Sequence, residues 1–343
     1  MNSDKIFIIA YFLTVAIILF IYRREFFTKT DNFIAFPRIN SVPLLHFRFK
    51  FLTPLKPLLS PYKTFDVTVI DIPKLFVFKP SLLSPVRDQG SQCGACWALI
   101  TTSMLSDNIT YRIINFGKNL NAQQLFSCYD KVTGCQGAYP EEVLNWVADT
   151  QFQIDISNDY LGRQTECKNI EKGFTVLKNS VRSLNRFFPQ INLNPNKIPP
   201  EIAPILERNI INMKLQIMEG GPIFASFKIY SNFLNFDGSE IYTKGPGESI
   251  GAHAVEIVGW VDKGVDITPG FTEYGYWLCK NSFGTIWARG SPFKGYFAMR
   301  MGTNECGIET YAGCATPNVG FEPVAGSTRS HLIYLDYNEY KRS

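Results

Sequence analysis

The sequence predicts an α+β domain of two lobes, helical first and stranded second, with a reactive site in the crevice between them. Three observations carry that expectation. Helix starts gather in the first half, at Cys96, Asn121 and Tyr139. Runs that read as strands gather between residues 223 and 316. A Gly220-Gly221-Pro222 stop separates the last long helical pattern from the first of those strands. Composition agrees. The 343 residues are 45% hydrophobic and 19% charged, which excludes a wholly disordered chain. A net charge of +4 is too weak for a dedicated nucleic-acid binder. Eight cysteines are few for a disulfide miniprotein and many for a reduced cytosolic enzyme.

The elements follow in order. Ile6 to Tyr22 is an uncharged apolar run. As a helix it would reach about 25 Å, the short end of what spans a bilayer. Asp4 beside Lys5 weakens the basic start of a signal peptide, and no small-residue cleavage site follows. Residues 1–23 therefore read as an N-terminal transmembrane anchor, with a cleaved signal peptide as the alternative. Residues 24–71 read as a Pro-rich basic linker or short pro-segment, holding Pro37, Pro43, Pro54, Pro57 and Pro61. The chain's whole charge excess lies next to the apolar run, which suggests adhesion to anionic headgroups. Arg23, Arg24 and Lys29 point the following chain to the cytoplasm, whereas the cysteine content points to an oxidising side. The sequence leaves that conflict open.

The strongest signal is Ser84-Pro85-Val86-Arg87-Asp88-Gln89-Gly90-Ser91-Gln92-Cys93-Gly94-Ala95-Cys96-Trp97-Ala98. It sets Cys96 where a helix begins, with Trp97, Ile100 and Met104 at i, i+3 and i+7. The positive end of a helix stabilises a thiolate, the reactive form of cysteine. Cys93 and Cys96 also have the C-x-x-C spacing of a thiol redox site, and a buried structural cysteine is the plain alternative. Cys128 and Cys135 fit a zinc site poorly.

Asn121 to Phe126 reads as a capped helix start, and Tyr139-Pro140-Glu141-Glu142 as another with Pro in the first turn. Residues 168–200 read as a long surface loop. Gly251 to Trp260 reads as a strand whose small neighbours leave His253 room to face a partner, with Val255 and Ile257 on its face. Gly275 to Gly284 ends a second strand at Asn281. Residues 317–343 read as a polar tail. Asn108-Ile109-Thr110 is a glycosylation sequon, but its place on the nucleophile helix argues against occupancy. His46 and His331 receive no role.

The string Cys93-Gly94-Ala95-Cys96-Trp97 resembles the nucleophile segment of papain-like cysteine proteases. The resemblance covers residues 72–316 and implies a helical left lobe, a β-barrel-like right lobe and a site between them. It implies Cys96 as nucleophile, His253 as base, Asn281 as the acceptor that orients the imidazole, and Gln89 as an oxyanion donor beside the Cys96 N–H. Two departures stand out. Gln92 is an extra residue between Gln89 and Cys96, so the loop must bulge. Phe283 stands where the family has Trp. Trp287 resembles the family's tryptophan on the leaving-group side, and Tyr311 the residue that floors the S2 pocket. A Tyr there would disfavour a basic P2 side chain. Gly137 and Ala138 fall in the substrate-pairing segment, Ala138 where the family usually has Gly. The resemblance pairs Cys93 with Cys135 and Cys128 with Cys167, leaving Cys279, Cys306 and Cys314. An early tryptophan is absent, with Phe76 and Phe78 in its region.

Ile217 to Leu234 and Gly302 to Glu309 point to the cathepsin B-like branch. No His lies between residues 47 and 252, so that branch's paired-histidine loop is missing and endopeptidase activity is expected. The implied function is hydrolysis of polypeptide substrates by a thiolate–imidazolium pair through an acyl-enzyme. No cofactor, metal or nucleic acid is expected, and the chain reads as a monomer. Its location reads as a single-pass membrane protein with the protease domain on a lumenal, extracellular or virion side. Competing classes are an inactive homologue with a structural or binding role at a membrane, and a thiol oxidoreductase using Cys93 and Cys96.

Overall fold

The computed structural model describes residues 72–112, 118–131, 134–185, 192–194 and 196–318. Helix α1 (Cys96–Arg112) is buried from Cys96 to Ile109 on every side. Its apolar stripe is therefore only part of a helix enclosed all round. The polar residues between the stripe satisfy themselves locally: Thr102 Oγ1 donates to Ala98 O (2.8 Å) and Ser106 Oγ to Thr102 O (2.6 Å). Helix α2 (Ala122–Cys128) starts as expected, with the Asn121 side chain accepting from the Gln124 N–H (2.9 Å). Helix α3 (Pro140–Thr150) has Pro in its first turn and Glu141 and Glu142 at its positive end. Trp97 locks these helices together, with its ring against Phe126 and Tyr129 and its Nε1–H on Gly134 O (3.1 Å).

Strand β1 (Leu75–Val77) opens the described chain. Two short strands, β2 (Thr175–Val176) and β3 (Arg182–Ser183), lie within the expected loop 168–200. Helix α4 (Ala203–Gly220) stops at Gly221, whose positive φ ends the helix, as the Gly-Gly-Pro signal implied. Then come β4 (Ile223–Tyr230), the single turn α5 (Ser231–Leu234), β5 (Ser249–Val261), β6 (Tyr276–Lys280), β7 (Tyr296–Arg300), β8 (Tyr311–Cys314) and β9 (Pro317–Asn318).

Seven strands form one antiparallel sheet in the order β3-β8-β4-β5-β6-β7, with β1 also on β5. The sheet path ends at β3 and β7, and no strand pairing joins those ends among the described residues, so the lobe is an open sheet rather than a closed barrel. The long β5 bridges the sheet: it pairs with β4 from Ser249 to Ile257 and with β1 and β6 near its end, with a register shift between Ile257 and Gly259. Its residues from Ala252 to Val261 are all buried, so face alternation leaves no mark on exposure. Phe76 stacks on Trp260 at 5.0 Å, filling the region where an early tryptophan is missing.

Two boundary expectations change, and a third lies outside the described residues. The tail read as starting at residue 317 instead opens with β9, which pairs with β2 through Thr175↔Asn318 and Val176↔Pro317. The segment 168–200 supplies two strands, because Thr175–Val176 pair with β9 and Arg182–Ser183 with β8. The proposed membrane anchor and linker fall on residues 1–71, outside the described residues. Among the described residues, no helix is long and apolar enough to cross a membrane.

Candidate active site

Four segments converge. Cys96 begins α1, His253 lies mid-β5, Asn281 follows β6 directly, and Gln89 lies on the segment before α1. All four side chains are buried. His253 Nε2 lies 2.7 Å from Asn281 Oδ1, and the Ser282 N–H reaches the same oxygen at 2.8 Å. A backbone N–H needs an acceptor, so that atom is the amide oxygen. It follows that His253 Nε2 carries the proton and donates, and Nδ1 keeps its lone pair. Nδ1 has no hydrogen-bond partner among the described residues.

Ala254, the residue next to His253, supplies one of the backbone N–H groups that favour the Cys96 thiolate. Burial pushes that thiol up to about 11, against the lowering effect of the Ala254, Trp97 and Cys96 N–H groups. Burial pushes the His253 imidazole down to about 4, opposed by its bond to Asn281. Desolvation thus favours the neutral form of each group.

Aromatic rings enclose the imidazole. Phe283 lies 4.6 Å away at a 35° tilt, and Phe227 meets it edge-on at 5.8 Å. Trp287 stands edge-on to Phe283 at 5.5 Å. Trp287 is fixed by its Nε1–H on Leu234 O (3.1 Å).

Gln89 is held from several sides. Its N–H donates to Ser282 O (2.8 Å), its Oε1 accepts from Ser282 Oγ (2.7 Å), and its Nε2 donates to Cys93 O (3.0 Å). The extra residue is absorbed in the turn around Gly90, whose φ is +76° and whose N–H is taken by Asp88 Oδ1. One of the two Nε2 hydrogens is committed to Cys93. Tyr160, which the sequence reading passed over, donates its hydroxyl to Gln89 O (3.3 Å). Burial, then the charges of Cys96 and Asp88, hold that phenol well above its ordinary range.

Gly137 and Ala138 are both buried, next to a segment stapled to the nucleophile loop. The disulfide Cys93–Cys135 and the bond from Gly94 N to Cys135 O (3.1 Å) make that staple. A second disulfide joins Cys128 to Cys167. These are the two pairings the resemblance implied, and they place the domain in an oxidising compartment. Cys93 is consumed by its bridge, which removes the C-x-x-C dithiol from this state. Cys279, Cys306 and Cys314 are free and buried. Tyr311 pairs across Ser226, whose other neighbour is Ala254, so it lies two strands from the histidine strand on the same rung. Asn108 is 1% exposed, which closes the sequon to glycosylation in the folded state. No cluster of metal-ligating side chains occurs among the described residues.

A buried polar cluster behind the site was also missed. Lys280 Nζ donates to Asp107 Oδ2 (2.7 Å) and Ser84 Oγ (2.8 Å), and lies 3.5 Å from Glu256 Oε2. Two charged residues of opposite sign inside apolar strands, Glu256 and Lys280, were the signal available in the sequence.

Comparison with known proteins agrees with this architecture. Residues 72–316 match the model of the papain family cysteine proteases. That span is well over half the chain, and the chain belongs to this family. It is a thiol peptidase. Among curated relatives, it is 29% identical over 262 residues to a cathepsin B-like cysteine proteinase 5 of Caenorhabditis elegans, covering 69% of this chain and 71% of that one. It is 28% identical over 264 residues to a cathepsin B-like cysteine proteinase 1 of Haemonchus contortus, covering 70% and 72%. Among solved structures, a procathepsin B S9 from Trypanosoma congolense superposes with a TM-score of 0.54 at 21% identity, covering 72% of this chain and 78% of that one. The bromelain protease of Ananas comosus superposes at 0.53 and 18%, covering 71% and 99%. At such identities these two structures speak for the fold.

Proposed function

We propose that the chain cleaves polypeptides as an endopeptidase, with Cys96 as nucleophile and His253 as its acid–base partner. The observation that carries this reading is the Nε2–H bond of His253 to Asn281, which leaves Nδ1 as an open base on the strand whose Ala254 N–H favours the Cys96 thiolate. In the reaction, the Cys96 proton passes to His253 Nδ1 and the thiolate attacks the scissile carbonyl carbon. The oxyanion is stabilised by the Cys96 N–H and the remaining Nε2 hydrogen of Gln89. His253 then protonates the leaving amine, and an acyl-enzyme remains. Water, deprotonated by His253, releases the acid and restores the thiol. Burial disfavours each ion alone, so the ion pair depends on mutual attraction across a low-dielectric gap.

That dependence is testable. In wild type, NMR titration is expected to show His253 protonated at neutral pH, supported by the thiolate. In Cys96→Ala the partner is gone, and His253 is expected to titrate near the low value that burial sets. Equal titration in both proteins would rule out the ion pair. A peptide carrying an epoxide warhead is expected to label Cys96 once, with loss of labelling in Cys96→Ala and His253→Ala. No adduct in a folded wild type would favour an inactive homologue, a reading to which the commitment of Gln89 Nε2 to Cys93 O lends support.

Tyr311 is proposed to floor the S2 pocket and to disfavour a basic P2 side chain, and Gly137 and Ala138 to pair with substrate backbone. Efficient release of C-terminal dipeptides with internal bonds left uncut would argue against the endopeptidase reading. We also infer from the sequence that residues 6–22 anchor the chain in a membrane. Release of the full chain from membranes by alkaline carbonate would overturn this.

A further inference from the structure

The buried cluster behind the site has an unusual membership. Each segment that carries a proposed site residue also contributes at least one member of the cluster. The Gln89 segment contributes Ser84. Helix α1, which begins at Cys96, contributes Ser103 and Asp107. Strand β5, which carries His253, contributes Glu256. Strand β6, which delivers Asn281, contributes Lys280 at its last position.

The bonds form a closed ring. Lys280 Nζ donates to Ser84 Oγ (2.8 Å), Ser84 Oγ lies 3.2 Å from Ser103 Oγ, and Ser103 Oγ donates to Glu256 Oε2 (2.5 Å). Glu256 Oε2 closes the ring 3.5 Å from Lys280 Nζ. Asp107 braces it from the side, taking Lys280 through Oδ2 (2.7 Å) and the Ser84 N–H through Oδ1 (2.6 Å). Glu256 and Lys280 are direct partners across β5 and β6, three residues beyond His253 and one before Asn281. All these side chains are buried.

The structure assigns Glu256 as a positioning residue for the His253–Asn281 pair: by holding Lys280 together with Asp107, it fixes the strand end from which the Asn281 oxygen meets the imidazole. The assignment rests on the proposed reaction. It goes beyond it in giving work to a carboxyl that touches no reacting atom.

The same geometry explains why the ring tolerates two acids around one lysine. Burial, then the charge of Asp107, raises Glu256 well above the ordinary carboxylate range, with Lys280 and Ser103 opposing. Its protonated form is therefore favoured beyond that of a free carboxyl. The other groups facing it are Arg87 on the Gln89 segment, whose side chain bonds Thr102 and Leu120, and Tyr296 on β7. Burial and the charges of Asp107 and Glu256 push that phenol up, so it stays neutral beside them. Ionising Glu256 as pH rises would load the ring with a second negative charge.

The test uses the full chain and three variants. Glu256→Gln keeps the shape and acceptor of a protonated carboxyl but cannot ionise. It is expected to retain kcat within about twofold and to hold activity to higher pH than wild type. Glu256→Ala is expected to lower kcat about tenfold with KM within twofold. It is also expected to shift or broaden the downfield NMR resonance of the His253 Nε2 proton, which Glu256→Gln leaves in place. A folded Glu256→Ala protein with unchanged kcat and an unchanged resonance would overturn the assignment, as would a loss confined to KM. Should Glu256→Ala fail to fold, Ser103→Ala removes the hydroxyl that holds Oε2. It is expected to lower kcat about threefold at constant KM, and an unchanged kcat there would equally overturn the assignment. The resonance also separates the two readings. A wild type without peptidase activity sinks the proposed reaction, while the proton signal in the variants still decides whether Glu256 positions the pair.

Discussion

The two lobes are held together by different means. The helical lobe is stapled: two disulfides close over α2, the turn at Gly134–Gln136 and the segment at Cys167. The sheet lobe has three cysteines and uses none of them. It relies on buried ionisable groups. Glu309 accepts from Trp277 Nε1 (3.0 Å) and from the N–H groups of Gly302 and Asn304 (2.6 Å each). Glu305 pairs with Arg300, and Lys280 reaches across to Asp107 on α1. A covalent staple is indifferent to pH over the range where a protein works, whereas a buried carboxyl is not. One lobe should therefore respond to reductant and the other to protons.

The site straddles both lobes, so the largest expected effect belongs to neither alone. Cys96→Ala is expected to lower kcat on the order of 10⁴-fold or more, with thermal unfolding little changed. A residual rate within tenfold of wild type would mean that the thiol is not the nucleophile. Next comes reduction. Opening the two bridges is expected to cost about 2–5 kcal/mol each, lost from the helical lobe at any pH. Amide exchange under reductant is expected to rise first in α2 and α3. Equal or earlier exchange in β4 to β7 would break the contrast.

The proton-dependent half is sharpened by Glu309. Burial raises this carboxyl to about 7, against the three donors that favour its ion. A raised acid stabilises the fold fully below its unfolded value near 4.5 and loses that contribution as pH rises to 7. By linkage the loss is about 3 kcal/mol. Glu309→Gln cannot titrate, so the stability difference between wild type and this variant is expected to move against wild type between pH 4.5 and 7. A difference that stays flat across that range would show that Glu309 is ionised throughout. Comparing wild type with the variant cancels the titration of groups common to both and isolates Glu309. The smallest effect is Asn121→Ala. It removes the α2 cap and is expected to cost about 1 kcal/mol in denaturant unfolding, with activity untouched.

Legibility in the sequence follows the same division. Local signals were readable. The Asn121 cap, Pro140 in its first turn, the Gly-Gly-Pro stop and the strand around His253 each depend on neighbours in sequence. The nucleophile segment was readable because helix start and cysteine coincide. Features that depend on distant pairing were not. The strand β9 exists only because Thr175 and Val176 lie opposite it, and the apparent loop 168–200 conceals that. The ring joining Ser84, Ser103, Glu256 and Lys280 unites positions up to 196 residues apart. Tyr160 sits in a segment with no regular pattern, and nothing in its neighbourhood announces its bond to Gln89.

The first strand of the sheet carries a consequence for processing. β1 enters so close to β5 that a Cβ at Gly259 would meet Phe76 O at 2.2 Å. Just upstream, Lys74 O takes the Asp262 N–H (2.7 Å) and Pro73 O takes the Trp260 indole (3.1 Å). A protease trimming the chain back to Asp71 would leave every one of these bonds. A cut after Lys74, three residues later, would take both carbonyl acceptors away, leave Trp260 and Asp262 without them, and loosen the strand that seals the edge of β5. The domain thus sets its own trimming limit, and that limit lies ahead of Pro73.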